Sequence, residues 1–305
     1  MHDVIILGGG AAGLTAALYS RRYGLNVLLI EELYLGGQIA NTTGIENYPG
    51  FSSISGGDLI DEFEKQAMAY KPDIIYESVK GVDFSKDIKV VKTSKQEYES
   101  HCVIVAMGRN PRELGLPREQ ELKGLGVSYC ATCDGNFFKG KDVAVVGGGD
   151  TAVTEAVYLS RICRKVYIVH RRDEFRAAQA ETDKLKSAPN IELVLNAQVR
   201  KLLGNDKIEG IEVSGSEVSE SDKPTRVLEV SAVFVAIGAS PNSKVFESIL
   251  DLDGQGYIIG DDEMRTNIAN VFAAGDIRKK SLRQVITAAS DGAIAAHSVM
   301  LAMQR

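Results

Sequence analysis

The sequence predicts an α/β fold made of two related parallel-sheet domains, the second inserted into the first. Three observations support this prediction. The chain has 305 residues, which exceeds the usual size of one domain. Residues 3–13 can be laid over residues 142–152 without a gap, and both read as an apolar strand followed by a glycine turn. A third strand-like segment, residues 271–276, follows the second copy and belongs to neither repeat.

The repeat continues beyond the glycine turns. Thr15 falls on Thr154 and Val27 on Val166, so each copy reads strand, glycine turn, amphipathic helix, strand. Each copy also closes with a short apolar strand and a turn, at residues 103–108 and 233–238. The chain therefore repeats one βαβ-containing unit.

The domain boundaries follow from what the repeats leave over. The first copy ends near Pro111 and the second near Pro241. A remainder too short to form its own domain most simply returns to complete the first sheet. We therefore expect one discontinuous domain, residues 1–111 and 242–305, with residues 112–241 inserted as the second. A last helix, from about Arg283 to the end of the chain, would cover the first domain.

The first glycine turn has the spacing of a dinucleotide-binding motif. Gly8, Gly10 and Gly13 open a helix directly after a strand, where they permit a tight turn and close approach of a pyrophosphate. The next strand ends in Glu31, at the distance where a carboxylate accepts from an adenosine ribose. The alternative is a strand-to-helix turn that binds nothing. Because the second repeat has a matching glycine turn, the motif favours two Rossmann-like dinucleotide-binding domains.

The second copy differs at the position that reads the ribose. His170 stands where the first copy has Glu31. Three arginines follow it: Arg171, Arg172 and Arg176. Cations there would bind a 2′-phosphate, so this site is expected to prefer NADPH over NADH. The alternative is a solvated basic helix start.

The spacing of Cys130 and Cys133 predicts a redox-active dithiol. Two thiols separated by two residues can close a disulfide and exchange two electrons, which matches a hydride. A zinc half-site is the alternative, but it needs further ligands and the chain offers no second close pair. Cys102, at the start of a buried strand, and Cys163, on the helix after the second motif, are expected to be inert packing residues.

Asp134 follows the dithiol directly. A carboxyl with a raised pKa could supply the proton that a departing thiolate needs. The alternative is a solvated turn carboxylate.

Composition excludes several classes of partner. The formal net charge is −6 and no basic tail is present, so nucleic acid is not expected to bind. The longest apolar stretches, such as residues 4–7 and 143–146, are strand-sized, so no membrane span is expected. Four cysteines with one close pair suit a reducing compartment, and we expect a cytoplasmic protein.

Taken together, the motifs resemble the low-molecular-weight bacterial thioredoxin reductases, which are class II pyridine nucleotide-disulfide oxidoreductases. The resemblance spans essentially the whole chain. Its motifs are the two glycine turns, residues 130–135, 36–38, 46–50, 170–172 and 274–276. The most specific of them is Cys130-Ala-Thr-Cys133-Asp134-Gly135, because related flavoproteins place their cysteines elsewhere or lack them.

The resemblance implies FAD in the first domain and NADPH in the second, with no metal. The implied FAD residues are Gly8, Gly10, Ala11, Ala12, Gly13, Glu31, Gly37, Gln38, Asn47, Gly108, Gly275, Asp276, Arg283, Gln284 and Val285. The implied NADPH residues are Gly147, Gly149, Asp150, Thr151, Ala152, His170, Arg171, Arg172, Arg176 and Ile237.

The resemblance also implies a route for electrons, from NADPH through FAD to the Cys130–Cys133 disulfide and then to thioredoxin or another small CxxC protein. Cys133 would face the flavin, Cys130 would attack the partner disulfide, and Asp134 would act as acid and base. The family is homodimeric, and rotation of the second domain about its two linkers would expose the dithiol. Asn136 replaces an aromatic residue common in the family, which leaves Phe137 and Phe138 for docking the partner.

Three alternatives remain open at the level of sequence. The protein could take electrons from ferredoxin, could act on a different CxxC protein or oxidise a small dithiol, or could be a redox sensor without turnover. The second glycine turn and the basic residues after it argue against a relative that does not use nicotinamide.

Overall fold

The computed structural model describes residues 1–41, 44–215 and 225–304. The chain divides into two compact units, Met1–Asn110 with Ser240–Arg305, and Pro111–Ala239. The α-helices are α1 (Ala11–Arg22), α2 (Gly56–Met68), α3 (Ala131–Asp134), α4 (Asp150–Ser160), α5 (Gln179–Ser187) and α6 (Val285–Met303).

The strands of the first unit form one sheet. They are β1 (His2–Leu7), β2 (Val27–Glu31), β3 (Asp73–Tyr76), β4 (Val79–Asp83), β5 (Lys89–Thr93) and β6 (Glu97–Val105). In the described residues their order is β3-β2-β1-β6-β5-β4, and a seventh strand, Val271–Ala273, pairs parallel to the end of β6. The segment that follows the second repeat thus completes the sheet of the first unit.

Two short strands mark the passages between the units: β7 (Arg109–Pro111) and, later in the chain, Ala239–Pro241. They pair with each other as a two-stranded sheet.

The second unit contains a parallel and an antiparallel sheet. Its strands are β8 (Val127–Ser128), β9 (Asp142–Val146), β10 (Lys165–Val169), β11 (Ile191–Val194), β12 (Ala197–Leu203), β13 (Gly210–Gly215), β14 (Thr225–Leu228) and β15 (Ala232–Val235). The parallel sheet has the order β11-β10-β9-β15-β8, and β12-β13-β14 are antiparallel. In chain order Ala239–Pro241 is β16 and Val271–Ala273 is β17.

The continuous apolar runs of β1 and β9 reflect burial on both faces of each sheet. In β1, Val4 and Ile6 pack on the side of α1 and α6, while Ile5 and Leu7 pack on the opposite side. In β9, the alternation sends Val143 and Val145 towards α4, and Ala144 and Val146 towards β12 and β13.

Helices α1 and α6 approach each other closely at a glycine. A Cβ on Gly292 of α6 would overlap the carbonyl oxygen of Ala12 in α1, so only glycine fits there. The last helix therefore covers the sheet directly behind the first glycine turn, at the N-terminal end of α1.

The predicted α/β fold class is confirmed. Two details of the sequence analysis are corrected. α4 ends at Ser160, so Cys163 lies in the turn after the helix rather than on it. α6 begins at Val285, because Gln284 caps it through reciprocal hydrogen bonds with Thr287.

One helix of the described residues, α6, is long and apolar enough to cross a membrane. The sequence predicted no membrane span, because the apolar stretches singled out in it are strand-sized. Helices in the core of a globular protein meet the same criterion, and α6 packs along α1. The expected independence from membranes stays a prediction.

Candidate active site

The first glycine turn carries the chain from β1 to α1 in a space too small for side chains. Gly8 has φ +101°, and a Cβ there would lie 2.5 Å from the carbonyl oxygen of Ala106. A Cβ on Gly13 would overlap the carbonyl oxygen of Gly8. The two glycines are therefore required by the fold itself, whether or not a ligand is bound.

Gly10 and Gly149 are different, because the protein leaves room around them. A Cβ on Gly10 would meet nothing closer than the carbonyl oxygen of Gly36, at 4.0 Å, and one on Gly149 would meet nothing within 4 Å. Each is the N-cap of its helix, and neither helix has a side-chain cap at this end. At each helix start the backbone amides are therefore open, and no side chain at the glycine blocks them. Such a site fits a pyrophosphate, and we call it the glycine cradle.

The carboxylate of Glu31 lies beside the first turn. One of its oxygens accepts from Gly9 N at 2.7 Å, and the other accepts from Glu32 N at 2.7 Å and Leu33 N at 3.2 Å. These bonds fix the carboxylate at the end of β2, where the sequence predicted contact with a ribose. A carboxylate that accepts three hydrogen bonds can still accept another one from a ligand on its two oxygens.

Side-chain amides hold two other predicted FAD residues of the first unit, one on a short 3₁₀ helix (Gly37–Asn41) and one in a later loop. Gln38 donates to Asn110 at 3.0 Å, and Asn47 donates to Gln284 at 3.1 Å. Gly37 and Gly108 have φ of +57° and +64°, which suits glycine. Val285 is the first residue of α6, after its cap. Sequence reasoning missed Asn110, which has no motif of its own.

Asp276 has a buried oxygen that finds no partner. Its Oδ2 lies 3.7 Å from Arg109 Nε, while Oδ1 is buried and has no hydrogen-bond partner among the described residues. Burial raises the pKa of this carboxyl, against the opposing charges of Arg109, Lys280 and Arg283. A buried acceptor of this kind fits a ligand hydroxyl, so the residues present are compatible with a flavin nucleotide.

A buried ionic cluster holds the segment that carries Asp276. Asp291 accepts from the backbone of Gly275 at 3.0 Å and from Lys280 at 2.9 Å, and it lies 3.5 Å from Arg278. Sequence reasoning did not single out Asp291, since a carboxylate inside an apolar helix has no local signal of this role. Next to the cluster, the Arg283 guanidinium lies 4.1 Å from the centre of the Tyr257 ring.

In the second unit, His170 occupies the place that Glu31 has in the first. It is buried, its ring stacks on Phe175, and a Cβ on Gly148 would overlap that ring. Burial, reinforced by the charges of the neighbouring arginines, lowers the pKa of the imidazole. His170 is therefore a neutral packing group under the second turn, and it adds no positive charge to that of the arginines.

The positive charge comes from the arginines that follow it. Arg171, Arg172 and Arg176 are all exposed, and the backbone of Arg176 donates to the carbonyl oxygen of Gly148. Of the other predicted residues, Asp150 accepts from Ala178 N at 2.9 Å and Ile237 is exposed. Three further residues lie at the second turn and the start of α4: Gly147, Thr151 and Ala152.

The predicted dithiol is present as a closed disulfide. Cys130 and Cys133 are bonded across the one turn of α3, with their Cα atoms 5.3 Å apart. Cys102 and Cys163 are free and buried, and burial raises the pKa of their thiols to about 12 and about 11. The expectation that they are inert fits these values.

Asp134, at the end of α3, is half-buried, and its Oδ1 is fully buried. Burial raises the pKa of its carboxyl, opposed by a hydrogen bond from Ser128 and by the charge of Lys123. Ser128 Oγ lies 2.6 Å from Asp134 Oδ2, and Oδ1 has no partner within the described ranges. The buried Oδ1 and the raised pKa do not fit a fully solvated turn carboxylate. Sequence reasoning missed Ser128, although it lies only two residues before the dithiol.

The two phenylalanines after the dithiol have different surroundings. Phe137 is exposed, whereas Phe138 packs edge-on against Phe234 in β15. Phe137 is therefore the one of the two that faces solvent.

Comparison with known proteins identifies the family. The profile of the pyridine nucleotide-disulphide oxidoreductases matches residues 2–292. The chain belongs to this family. Family membership implies a flavin and a pyridine nucleotide as the redox groups of this oxidoreductase.

Individual relatives and solved structures show which members of the family this chain resembles. A thioredoxin reductase of Listeria monocytogenes is 44% identical over 97% of this chain and 92% of its own length. The crystal structure of thioredoxin reductase from Streptococcus pyogenes, 39% identical, covers 100% of this chain and 98% of its own with a TM-score of 0.93. A bifunctional thioredoxin reductase/thioredoxin of Mycobacterium leprae is 42% identical over 97% of this chain, which spans 64% of that relative. The resemblance inferred from the motifs is confirmed.

Adjacent glycines of the second turn should respond differently to alanine. Gly149→Ala adds a Cβ in open space at φ −97°, so the melting temperature should change little while binding of the pyridine nucleotide weakens about tenfold or more. Gly148→Ala should lower the free energy of unfolding by about 1–3 kcal/mol, because the new Cβ meets the His170 ring. Thermal unfolding and calorimetric titration measure both. Unchanged nucleotide binding by Gly149→Ala would show that the cradle is not the binding site.

The buried carboxyl should make stability depend on pH in a stated direction. Since the folded state raises the pKa of Asp134 above the ordinary 3.8, its contribution is fully present below that value and is lost as the pH rises through the folded pKa. Asp134→Asn should therefore melt at a higher temperature than the wild type at neutral pH, with the two converging in acid. Thermal unfolding of the oxidised protein across pH measures this.

Asp142→Asn is the matched control, because Arg164 lowers the pKa of Asp142. Its contribution is present above the unfolded pKa and lost in acid. This variant should melt below the wild type at neutral pH and converge with it as the pH falls. The same sign for both variants would contradict the assignment of Asp134.

Proposed function

We propose that the chain is an NADPH-dependent, FAD-containing thioredoxin-disulfide reductase. The observation that carries the proposal is the closed Cys130–Cys133 disulfide beside a buried carboxyl, in the same unit as a glycine cradle followed by exposed arginines. The disulfide and the cradle together suit a protein that moves two electrons from a nicotinamide to a thiol partner.

FAD is proposed to bind the first unit. The Gly10 cradle would hold its pyrophosphate and Glu31 its ribose, while Asp276 would accept from a hydroxyl of the flavin side chain through its unpartnered oxygen. The contacts around Gln38 and Asn47 would order the loops beside it. When bound, the flavin would supply the chemistry that links hydride transfer from a nicotinamide to the reduction of a disulfide.

NADPH is proposed to bind the second unit. Its pyrophosphate would lie at the open N-terminus of α4, by Gly149, and Arg171, Arg172 and Arg176 would neutralise its 2′-phosphate. His170 would take no charge in this contact and would instead support the turn from below.

The chain's own residues would then carry out dithiol exchange. Reduction opens the Cys130–Cys133 disulfide. The Cys130 thiolate attacks a disulfide of the partner, forming a mixed disulfide and releasing one partner thiolate, which takes a proton from Asp134. The Cys133 thiolate then attacks Cys130, which restores the intramolecular disulfide and releases the second partner thiolate.

The partner is proposed to be thioredoxin or another small CxxC protein, since a relative is named as a fusion of the two activities. Exposed Phe137 would contact it. A homodimer in the cytoplasm is proposed as well. Large apolar side chains lie exposed on α1, on the residue after it and on α6, and would be covered by a second copy: Tyr19, Tyr23, Ile286, Ile294 and Leu301.

Anaerobic addition of NADPH should bleach the bound flavin, and thioredoxin should then be reduced catalytically. Cys130→Ser and Cys133→Ser should each lower thioredoxin reduction about a thousandfold or more and still allow the flavin to bleach, because only the second transfer needs the dithiol. Cys163→Ala, at a buried thiol with a raised pKa, is the control and should retain turnover. Full turnover without Cys130 would contradict the proposal.

The preference for NADPH should depend on the exposed arginines. The double change Arg171→Gln with Arg172→Gln should lower the NADPH to NADH ratio of kcat/KM about 10- to 100-fold, because charge-assisted bonds to the 2′-phosphate are lost. Steady-state kinetics with both cofactors measures the ratio. Arg161→Gln, an exposed arginine at the other end of α4, should leave it unchanged. An unchanged ratio in the double variant would mean that other groups read the phosphate.

A further inference from the structure

Ser128 connects the dithiol turn to the central sheet of the second unit. It is buried at the end of β8, where it pairs with Phe234 of β15. Both strands are parallel members of a sheet with apolar packing on its two faces. The position of the Ser128 side chain is therefore set by the sheet and not by the surface turn that carries the cysteines.

The hydroxyl of Ser128 joins two parts of that turn. It accepts a hydrogen bond from Cys130 N at 3.1 Å and donates to Asp134 Oδ2 at 2.6 Å. The carbonyl oxygen of Cys130 is a second acceptor at 3.4 Å, which is much longer. Because a hydroxyl has one proton, the short contact decides that the proton points to the carboxyl.

The two oxygens of Asp134 are consequently not equivalent. Oδ2 is occupied as an acceptor, whereas Oδ1 is buried and lacks a hydrogen-bond partner among the described residues. When the carboxyl is neutral, its own proton avoids the oxygen that already receives one from Ser128. It resides on Oδ1, the oxygen that is free to donate.

We propose that Ser128 is a positioning residue for dithiol exchange, which holds Asp134 by Oδ2 so that the transferable proton is presented on Oδ1. This inference rests on the proposed function, because it assigns a supporting residue to the same reaction. Ser128 acts through its hydrogen bonds to the carboxyl and to the backbone of Cys130.

Other charged and titratable groups surround this pair. Lys123, in the segment before β8, favours the ionised form of Asp134. Glu155 of α4 accepts from Ala131 N at 3.3 Å at the start of α3, and the Tyr158 ring lies beside Gly135. Ser128 is the group bonded directly to the carboxyl, so its removal should have the largest local effect on the ionised form.

The first test is spectroscopic and needs no turnover. Infrared difference titration of the oxidised protein, with Asp134→Asn as the subtracted reference, follows protonation of this one carboxyl. Ser128→Ala removes a donor to the ionised form, so the midpoint should move to higher pH. Ser128→Thr keeps the hydroxyl and should restore the wild-type midpoint. Ser160→Ala, at a serine that donates to the Val157 carbonyl, should not move it.

The second test measures dithiol exchange with thioredoxin. Asp134→Asn should slow reduction about a hundredfold and Ser128→Ala about tenfold, with rescue by Ser128→Thr. In the Asp134→Asn background, Ser128→Ala should cause no further loss, since both act through one carboxyl. A role limited to holding the backbone would instead give the same loss in both backgrounds, and that result would overturn the inference.

The two tests separate failure of the inference from failure of the proposed function. An unmoved infrared midpoint in Ser128→Ala overturns the inference, whatever the substrate. A wild-type enzyme that bleaches with NADPH but does not reduce thioredoxin overturns the proposed function, while the infrared shift still decides whether Ser128 controls the carboxyl. Wild-type rates in Asp134→Asn would overturn both the role of Asp134 and the support assigned to Ser128.

Discussion

Both units depend on one steric constraint, the close passage of each strand-to-helix turn across the end of a neighbouring strand. Gly8 passes Ala106 and Gly147 passes Ala236 so closely that no Cβ fits between them. Because β1 and β9 each lie between two parallel neighbours, the turn that follows each strand emerges at the carboxyl end of its sheet. The start of the helix, with its open amides, is thereby fixed where ligands of open α/β sheets bind.

The same constraint explains why one structural position holds a carboxylate in one unit and a neutral imidazole in the other. The end of the second strand lies against the middle glycine of the turn in both. Glu31 meets it with a hydrogen bond to Gly9 N, and His170 meets it by packing its ring over Gly148. Since the imidazole is buried, positive charge in the second unit has to lie one residue further on, where the side chains reach solvent.

The sequence predicted those features that depend on local spacing. The glycine turns, Glu31 and the Cys130–Cys133 pair each have a short-range pattern with a physical reason, and the internal repeat indicated the fold class. The charge state of His170 could not be predicted, because it depends on burial against Gly148 and Phe175. Ser128 and Asp291 were missed for a related reason, since their partners become neighbours only when strands and helices pack.

Two opposing effects act on the carboxyl next to the dithiol. Burial alone would keep Asp134 neutral, and a neutral acid that never ionises could not return a proton in the reverse step. The hydroxyl of Ser128 and the charge of Lys123 favour the ionised form and so oppose the effect of burial on the pKa of this carboxyl. The proposed role of Asp134, as acid in one direction and base in the other, needs this balance. The hydroxyl belongs to β8, so its position is set by strand pairing and not by the bonding state of the cysteines.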